Sequence, residues 1–173
     1  MRSALVAVLS ALFFSITGCG YHTAASAAHL PNTVHTLAVP VFQNATQSYH
    51  TEVAFTEAVI REFSSRTSYH LTPKSDSDAD ATLLGTITTF QVTPLTYNSQ
   101  TGQSSSFLIT VKARIVLTDR NHKTLYQNSN YVFRQQYETT QDLASFIQED
   151  PAAVQRLSRD FAQSVVSDIL ESF

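Results

Sequence analysis

Three groups of residues in this 173-residue chain have side chains that could bind a metal ion or act in catalysis. The first is the acidic segment DSDADA, which contains Asp76, Asp78 and Asp80. A calcium-binding EF-hand loop that started at Asp76 would need glycine at its sixth position and glutamate at its twelfth. The chain has Ala81 and Ile87 there, so the segment is better interpreted as a solvated turn.

The histidines and the serine-rich segment do not form a recognisable reactive site either. No two histidines have the short spacing of a zinc-ligand pair; they are His22, His29, His35, His50, His70 and His122. The segment Gly102–Ser106 lacks the glycine-flanked turn that exposes a nucleophilic serine. The sequence therefore predicts a protein that is not an enzyme and has no metal or cofactor, with a serine or carboxylate hydrolase as the weaker alternative.

The one cysteine, Cys19, follows an apolar segment typical of exported proteins. Residues 1–18 contain a single cation, Arg2, then an apolar run from Ala4 to about Ile16, then small residues. This layout predicts a signal peptide, and the run is too short to span a bilayer comfortably. The alternative is a buried N-terminal helix, which the lack of a polar face disfavours.

The segment ITGC, residues 16–19, resembles a bacterial lipobox. The resemblance implies that Cys19 receives a diacylglycerol and becomes the acylated first residue after cleavage. Two or more acyl chains anchor a protein stably because each buried methylene contributes about 0.8 kcal/mol. Gly20 follows instead of aspartate, so the usual signal for inner-membrane retention is missing. We therefore expect a lipid anchor in the outer membrane, with the protein on its periplasmic side.

The charge of the chain argues against nucleic acid as a partner. Lys and Arg number 11 against 14 Asp and Glu, a net charge of −3, and charged residues make up only 14% of the chain. No broad basic surface is expected that could neutralise a phosphate backbone.

Periodicity predicts the elements that would position any functional residue. Residues 34–42, VHTLAVPVF, alternate like a half-buried strand, and Pro40 places it near an edge or a bulge. Residues 51–63 have helical spacing, with one apolar face formed by Val53, Thr56, Ile60 and Phe63 and with Phe55 and Val59 beside them. If residues 67–72 pair in parallel with the first strand, the three segments form a crossover unit.

Three longer segments, residues 81–92, 105–119 and 124–138, predict a β-meander. One face of the middle strand is apolar, and its members are Phe107, Ile109, Val111, Ala113, Ile115 and Leu117. In the third strand Tyr131, Phe133 and Tyr137 are in phase. A final helix begins at Pro151 with Asp150 as its N-cap and has an apolar stripe of Val154, Leu157, Phe161, Val165 and Ile169.

These elements predict a single α+β domain at residues 31–173, preceded by a tether at residues 19–30. The expected architecture is a two-layer sandwich, with two helices packed on one face of a four-stranded mixed sheet. The expected order is β-α-β-β-β-α.

Several segments together resemble the LptE family of lipopolysaccharide-assembly lipoproteins. They are CGYH, LAVPVFQNAT, TEAVIREF, DADATLLGTITTF, VKARIVLTDR, YVFRQQYE and EDPAAVQRLSRDFAQSVVSDILESF. The resemblance covers essentially the whole mature chain. It implies two helices on a four-stranded sheet, and a protein that sits as a plug in the LptD β-barrel of the outer membrane. It further implies help in barrel assembly, contact with lipopolysaccharide and no catalysis.

Lipopolysaccharide carries phosphates, so a contact site for it would need Arg or Lys. Lys112 and Arg114 share the polar face of one predicted strand, Arg134 is on the next strand, and Arg120 and Lys123 flank the turn between them. These five residues are the predicted site, with a solvated surface role for each as the alternative. For the whole protein, the alternative is another periplasmic lipoprotein that serves a cell-wall synthase or a secretion pore.

Overall fold

The computed structural model of the chain describes residues 30–31, 33–47, 51–74, 78–97, 104–138 and 151–173. These residues form six strands and two helices in the order β-β-α-β-β-β-β-α. The elements are β1 (Thr36–Ala38), β2 (Gln43–Asn44), α1 (Thr51–Arg66), β3 (His70–Thr72), β4 (Ala81–Tyr97), β5 (Ser104–Asp119), β6 (Thr124–Glu138) and α2 (Pro151–Glu171).

All six strands belong to one mixed sheet in which the order is β3-β1-β4-β5-β6, and β2 also pairs with β4. β1 is parallel to β3 and to β4, and β2 is parallel to β4. β4, β5 and β6 form an antiparallel meander. The predicted meander and the parallel crossover from β1 through α1 to β3 are therefore confirmed.

The sheet has six strands and not the four that we expected, and the order of elements differs accordingly. One cause is Pro40, which cannot donate a backbone hydrogen bond and interrupts the predicted strand at residues 34–42. Leu37 of β1 pairs with Ala81, whereas Gln43 of β2 pairs with Thr86, so the register slips by one residue between them. The other cause is the count, because the segment at residues 67–72 was predicted to pair with the first strand but was left out of the expected four, and it forms the edge strand β3.

The two helices pack against each other and against one face of the sheet. The buried side of α1 contains Phe55, Val59 and Phe63 at four-residue spacing. Val53 was expected on this side but is 39% exposed, because the buried face is centred on the contact with α2. In α2 the predicted stripe is buried from Leu157 to Ile169, while Asp150 lies outside the described residues.

Phe161 of α2 connects the two layers of the core. Its ring contacts Phe55 of α1 at a centroid distance of 4.7 Å, and Tyr131 and Phe133 of β6 at 5.8 and 5.9 Å. All three contacts are edge-to-face, the geometry that aromatic quadrupoles favour. The ring therefore fixes α2 against both the sheet and α1.

Two tyrosine hydroxyls of β6 add polar contacts to α2. Tyr131 Oη donates to Ser164 Oγ at 2.6 Å, and Tyr137 Oη donates to Asp160 Oδ2 at 3.2 Å. Burial raises the pKa of both hydroxyls, and the Asp160 carboxylate raises the pKa of Tyr137 further. Both tyrosines therefore remain protonated donors at neutral pH.

Within the described part of the chain, neither helix is long and apolar enough to cross a membrane.

Candidate anion-binding face

The sheet has one face covered by the helices and one open face, and the alternation along β5 assigns its basic residues to the open face. Side chains along a strand point to opposite faces in turn. The six predicted core residues of β5, from Phe107 to Leu117, are all buried. Lys112 is half-buried and Arg114 is exposed, as expected for the opposite face.

Three of the five predicted basic residues lie close together on the open face, and we call them the basic cluster: Lys112, Arg114 and Arg134. Lys112 and Arg114 are two positions apart on β5, which separates their Cα atoms by about 7 Å. Arg134 pairs with Thr110, so it is the diagonal cross-strand neighbour of Lys112, again about 7–8 Å away.

The cations of the basic cluster have no acidic partner among the described residues. The salt bridges between described residues join Arg61 to Glu57, Arg66 to Glu62 and Arg120 to Asp80. Guanidinium and ammonium groups that are not paired with carboxylates can bind external anions, and Arg does so in a bidentate geometry suited to phosphate.

Arg120 has a different environment, because it is held by the segment before β4. Its guanidinium lies 3.2 Å from Asp80 Oδ1 and also donates to the carbonyl oxygens of Asp78 and Ala79. Asp80 Oδ2 accepts the backbone N–H groups of His35 and Thr36 at 2.9 and 3.0 Å. These two backbone hydrogen bonds, together with the Arg120 charge, lower the pKa of the Asp80 carboxyl.

Lys123 lies in the turn between β5 and β6, which the carboxylate of Asp119 stabilises. Asp119 Oδ1 accepts the backbone N–H groups of Asn121 and Lys123, both at 2.8 Å. Arg114 and Asp119 are five positions apart on the strand, a distance of about 17 Å. The structure thus places Arg120 and Lys123 at one end of the sheet, away from the basic cluster.

A shallow groove beside the basic cluster was not identified from the sequence. Its volume is about 440 Å³, and it is lined by Pro40, Val41, Gln43, Leu84, Gly85, Thr86, Arg114, Val116 and Gln127. We call it the apolar groove, because Val41, Leu84 and Val116 form its apolar part. The sequence signal that pointed to this region was Pro40, at which an edge or a bulge was expected.

The described residues contain no group of three or more His, Cys, Asp or Glu side chains that could hold a metal ion. Asp78 and Asp80 belong to the contacts around Arg120, and Asp76 lies outside the described residues. His35, His70 and His122 are described, whereas His22, His29 and His50 are not, and neither is Cys19.

Solved structures show that this fold occurs in other bacterial proteins. Protein XCC0632 from Xanthomonas campestris has a TM-score of 0.58 at 12% identity, with 83% of this chain and 89% of that chain covered. A PelC dodecamer from Paraburkholderia phytofirmans has a TM-score of 0.51 at 9% identity, with 79% and 90% covered. Hypothetical protein CT253 from Chlamydia trachomatis has a TM-score of 0.51 at 10% identity, with 79% and 96% covered. At these identities the likeness shows the fold alone.

No curated protein matches the chain. The family model described as LptE, Lipopolysaccharide-assembly, matches residues 34–169, which is most of the chain and includes all six strands, α1 and all but the last two residues of α2. Proteins of this family assemble lipopolysaccharide and are not enzymes, in agreement with the prediction from the sequence. The resemblance seen in the sequence is thereby confirmed: the chain belongs to the LptE family.

Proposed function

We propose that the protein is an outer-membrane lipoprotein, anchored through Cys19, that acts with an LptD-like β-barrel in the transport of lipopolysaccharide. In this proposal it is both the plug of the barrel and a factor in barrel assembly. It contacts lipopolysaccharide as the lipid passes to the outer leaflet. The family match over residues 34–169 is the observation that carries the proposal.

The basic cluster supports the contact with lipopolysaccharide. Its three cations lie on one face, within about 7–8 Å of their neighbours, and have no carboxylate partner in the described part of the chain. Phosphate groups of lipopolysaccharide would supply the missing counter-charge. Arg120, which is already paired with Asp80, and Lys123 lie at the other end of the sheet and would form a separate contact at the turn between β5 and β6.

The polarity of the open face suits a position inside a barrel. Outer-membrane barrels have polar interiors, and interface cores are depleted in charge. Apart from Val132 and the apolar side chains of the groove, the open face near the basic cluster presents uncharged polar side chains, among them Thr86, Thr89, Gln91 and Gln127. Such side chains can form hydrogen bonds with a polar lumen.

The test of the barrel partnership is affinity purification of the full-length protein from detergent-solubilised outer membranes. We expect one large β-barrel protein in a stoichiometric complex that survives detergent. Recovery of a cell-wall synthase or a secretion pore in its place, or of no barrel, would contradict the proposal and favour another periplasmic lipoprotein function.

The test of the basic cluster is charge reversal. Lys112→Glu combined with Arg114→Glu should weaken lipopolysaccharide binding at least tenfold, because two charge-assisted contacts become repulsive. Binding is measured as a Kd at one fixed ionic strength, since salt screens exposed charges.

The matched control is Lys74→Glu combined with Arg159→Glu. Both residues are exposed and lie outside the basic cluster, so the control makes the same change in net charge elsewhere. Equal loss of binding in both double variants would show an effect of net charge and would refute a specific site. Thermal melting verifies that each variant is folded.

A further inference from the structure

We propose that the apolar groove receives an aliphatic chain of the same lipid whose phosphates the basic cluster binds. This inference rests on the proposed function and adds to it a second subsite. Its ligand class is an anionic amphiphile, a molecule with phosphate groups at one end and aliphatic chains at the other.

The apolar part of the groove is exposed although its side chains are aliphatic. Val41 is 56% exposed and Leu84 is 48% exposed, while most large apolar residues of the described chain are buried. Covering such surface with an aliphatic chain gains about 25 cal/mol per Å² of apolar area removed from water.

The outward position of Val41 is fixed by the residue that follows it. Phe42 is buried, its backbone N–H donates to Thr56 Oγ1 at 2.9 Å, and its ring packs directly on Gly85. Neighbouring residues of an extended chain point to opposite sides, so Val41 is directed to the open face. The groove therefore results from the conformation of the chain at residues 40–42.

The register of the sheet places the apolar groove next to the basic cluster. Leu84 pairs with Val116 across β4 and β5, and Val116 pairs with Gln127 of β6. The next pair on the same face is Thr86 with Arg114, one step of about 7 Å along the strands. Beyond Arg114 follow Lys112 and then Arg134, so an apolar band is succeeded by three cations along one direction.

This order of groups matches an anionic amphiphile better than other ligands. A neutral aliphatic molecule would leave the three cations without counter-charge. A soluble polyanion would leave Val41, Leu84 and Val116 exposed to water. A lipid that has phosphates beside its aliphatic chains satisfies both parts of the surface at once.

The chain contains no tryptophan, so one introduced tryptophan reports on a single position. Leu84→Trp places the reporter in the apolar groove. Leu95→Trp is the matched control, because Leu95 is also on β4 and is 46% exposed, but it does not line the groove. The probes are purified lipopolysaccharide and its fully deacylated, still phosphorylated saccharide.

We expect lipopolysaccharide to shift the emission of Leu84→Trp to shorter wavelength, and the deacylated saccharide to leave it unchanged. Leu95→Trp should respond to neither probe. We also expect Leu84→Asn to weaken lipopolysaccharide binding about tenfold without changing saccharide binding. Leu95→Asn should leave both affinities unchanged.

Three results would overturn the inference. If lipopolysaccharide binds in a manner sensitive to Lys112→Glu and Arg114→Glu but Leu84→Trp stays silent, the groove is not an acyl subsite and the proposed function stands. If the saccharide shifts Leu84→Trp equally, the groove binds sugar. If the shift is already present in a lipid-free complex with the barrel, the barrel protein occupies the groove. Absence of any lipopolysaccharide binding by the unchanged protein would refute the proposed contact itself.

Discussion

At the residue scale, Asp80 connects three segments that are distant in the sequence. One carboxylate oxygen accepts two backbone N–H groups at the start of β1, and the other pairs with Arg120 after β5. The backbone of the same residue donates to Thr36 O at 3.0 Å and accepts the N–H of Arg120 at 2.9 Å. Asp80 therefore holds one end of the sheet together.

We expect Asp80→Asn to lower the melting temperature at neutral pH, because the charged acceptor is lost. Folding lowers the pKa of Asp80, so its contribution to stability is present above the ordinary carboxyl value of 3.8 and is lost as the pH falls through the lower folded value. The melting temperatures of the two proteins should therefore converge in acid. Melting curves from pH 7 down to about pH 2 measure this.

The control for this prediction is Asp168→Asn, which removes an exposed carboxylate from α2. We expect Asp168→Asn to lower the melting temperature at neutral pH by less than Asp80→Asn does. The prediction is wrong if the melting temperatures of Asp80→Asn and the unchanged protein differ by the same amount at pH 7 and in acid. In that case the charge of Asp80 contributes nothing to stability.

At the scale of elements, the break between β1 and β2 gives the sheet its groove, and Gly85 makes the break possible. A Cβ atom at position 85 would lie 2.5 Å from Cδ2 of the Phe42 ring, far inside van der Waals contact. Only glycine leaves space for this ring above β4. Phe42 thus enters the core while Val41 stays on the open face.

We expect Gly85→Ala to destabilise the protein by about 1–3 kcal/mol, the usual effect of overpacking a well-filled core. Urea unfolding measures the change. Phe42→Leu in the same chain should recover part of the loss, because a smaller side chain relieves the contact, and a double-mutant cycle isolates this coupling. Strictly additive effects of the two substitutions would contradict direct contact between positions 42 and 85.

At the scale of the whole molecule, the proposed lipid at Cys19 would limit how far the domain can lie from a membrane. Cys19 and Leu30 are eleven positions apart, a stretch that spans at most about 40 Å when fully extended. Leu30 is buried, and its backbone N–H donates to Tyr69 Oη at 3.0 Å, so this residue belongs to the packed domain. A lipid at Cys19 would therefore keep the domain within reach of a membrane-embedded partner.

We expect mass spectrometry of the N-terminal peptide to show an acylated Cys19 and no residues 1–18. The variant Cys19→Ala should carry no lipid, because the thiol that receives the lipid is missing. Cys19→Ser is the control for side-chain size and should behave like the alanine variant. An unmodified cysteine in the unchanged protein would refute the anchor.

Much of the fold follows from local patterns. The period of two in β5 assigned its six core residues, the spacings of three and four assigned the stripe of α2, and turn residues separated the meander strands. Each pattern involves only residues that are close in the sequence, because burial of one face of a strand or helix is enough to produce the periodicity. The placement of Lys112 and Arg114 on one face is of this kind.

Only the tertiary structure decided how distant segments meet. It split the first predicted strand at Pro40, paired Arg120 with Asp80 across 40 positions, and exposed Val53 by packing α1 against α2. It also separated Arg120 and Lys123 from the basic cluster and brought Val41, Leu84 and Val116 together. The periodicity of the sequence determines which face of an element a residue occupies. The register between strands and the packing of the helices depend on the whole core. The sequence alone therefore identified the cations, and only the tertiary structure placed an apolar groove beside them.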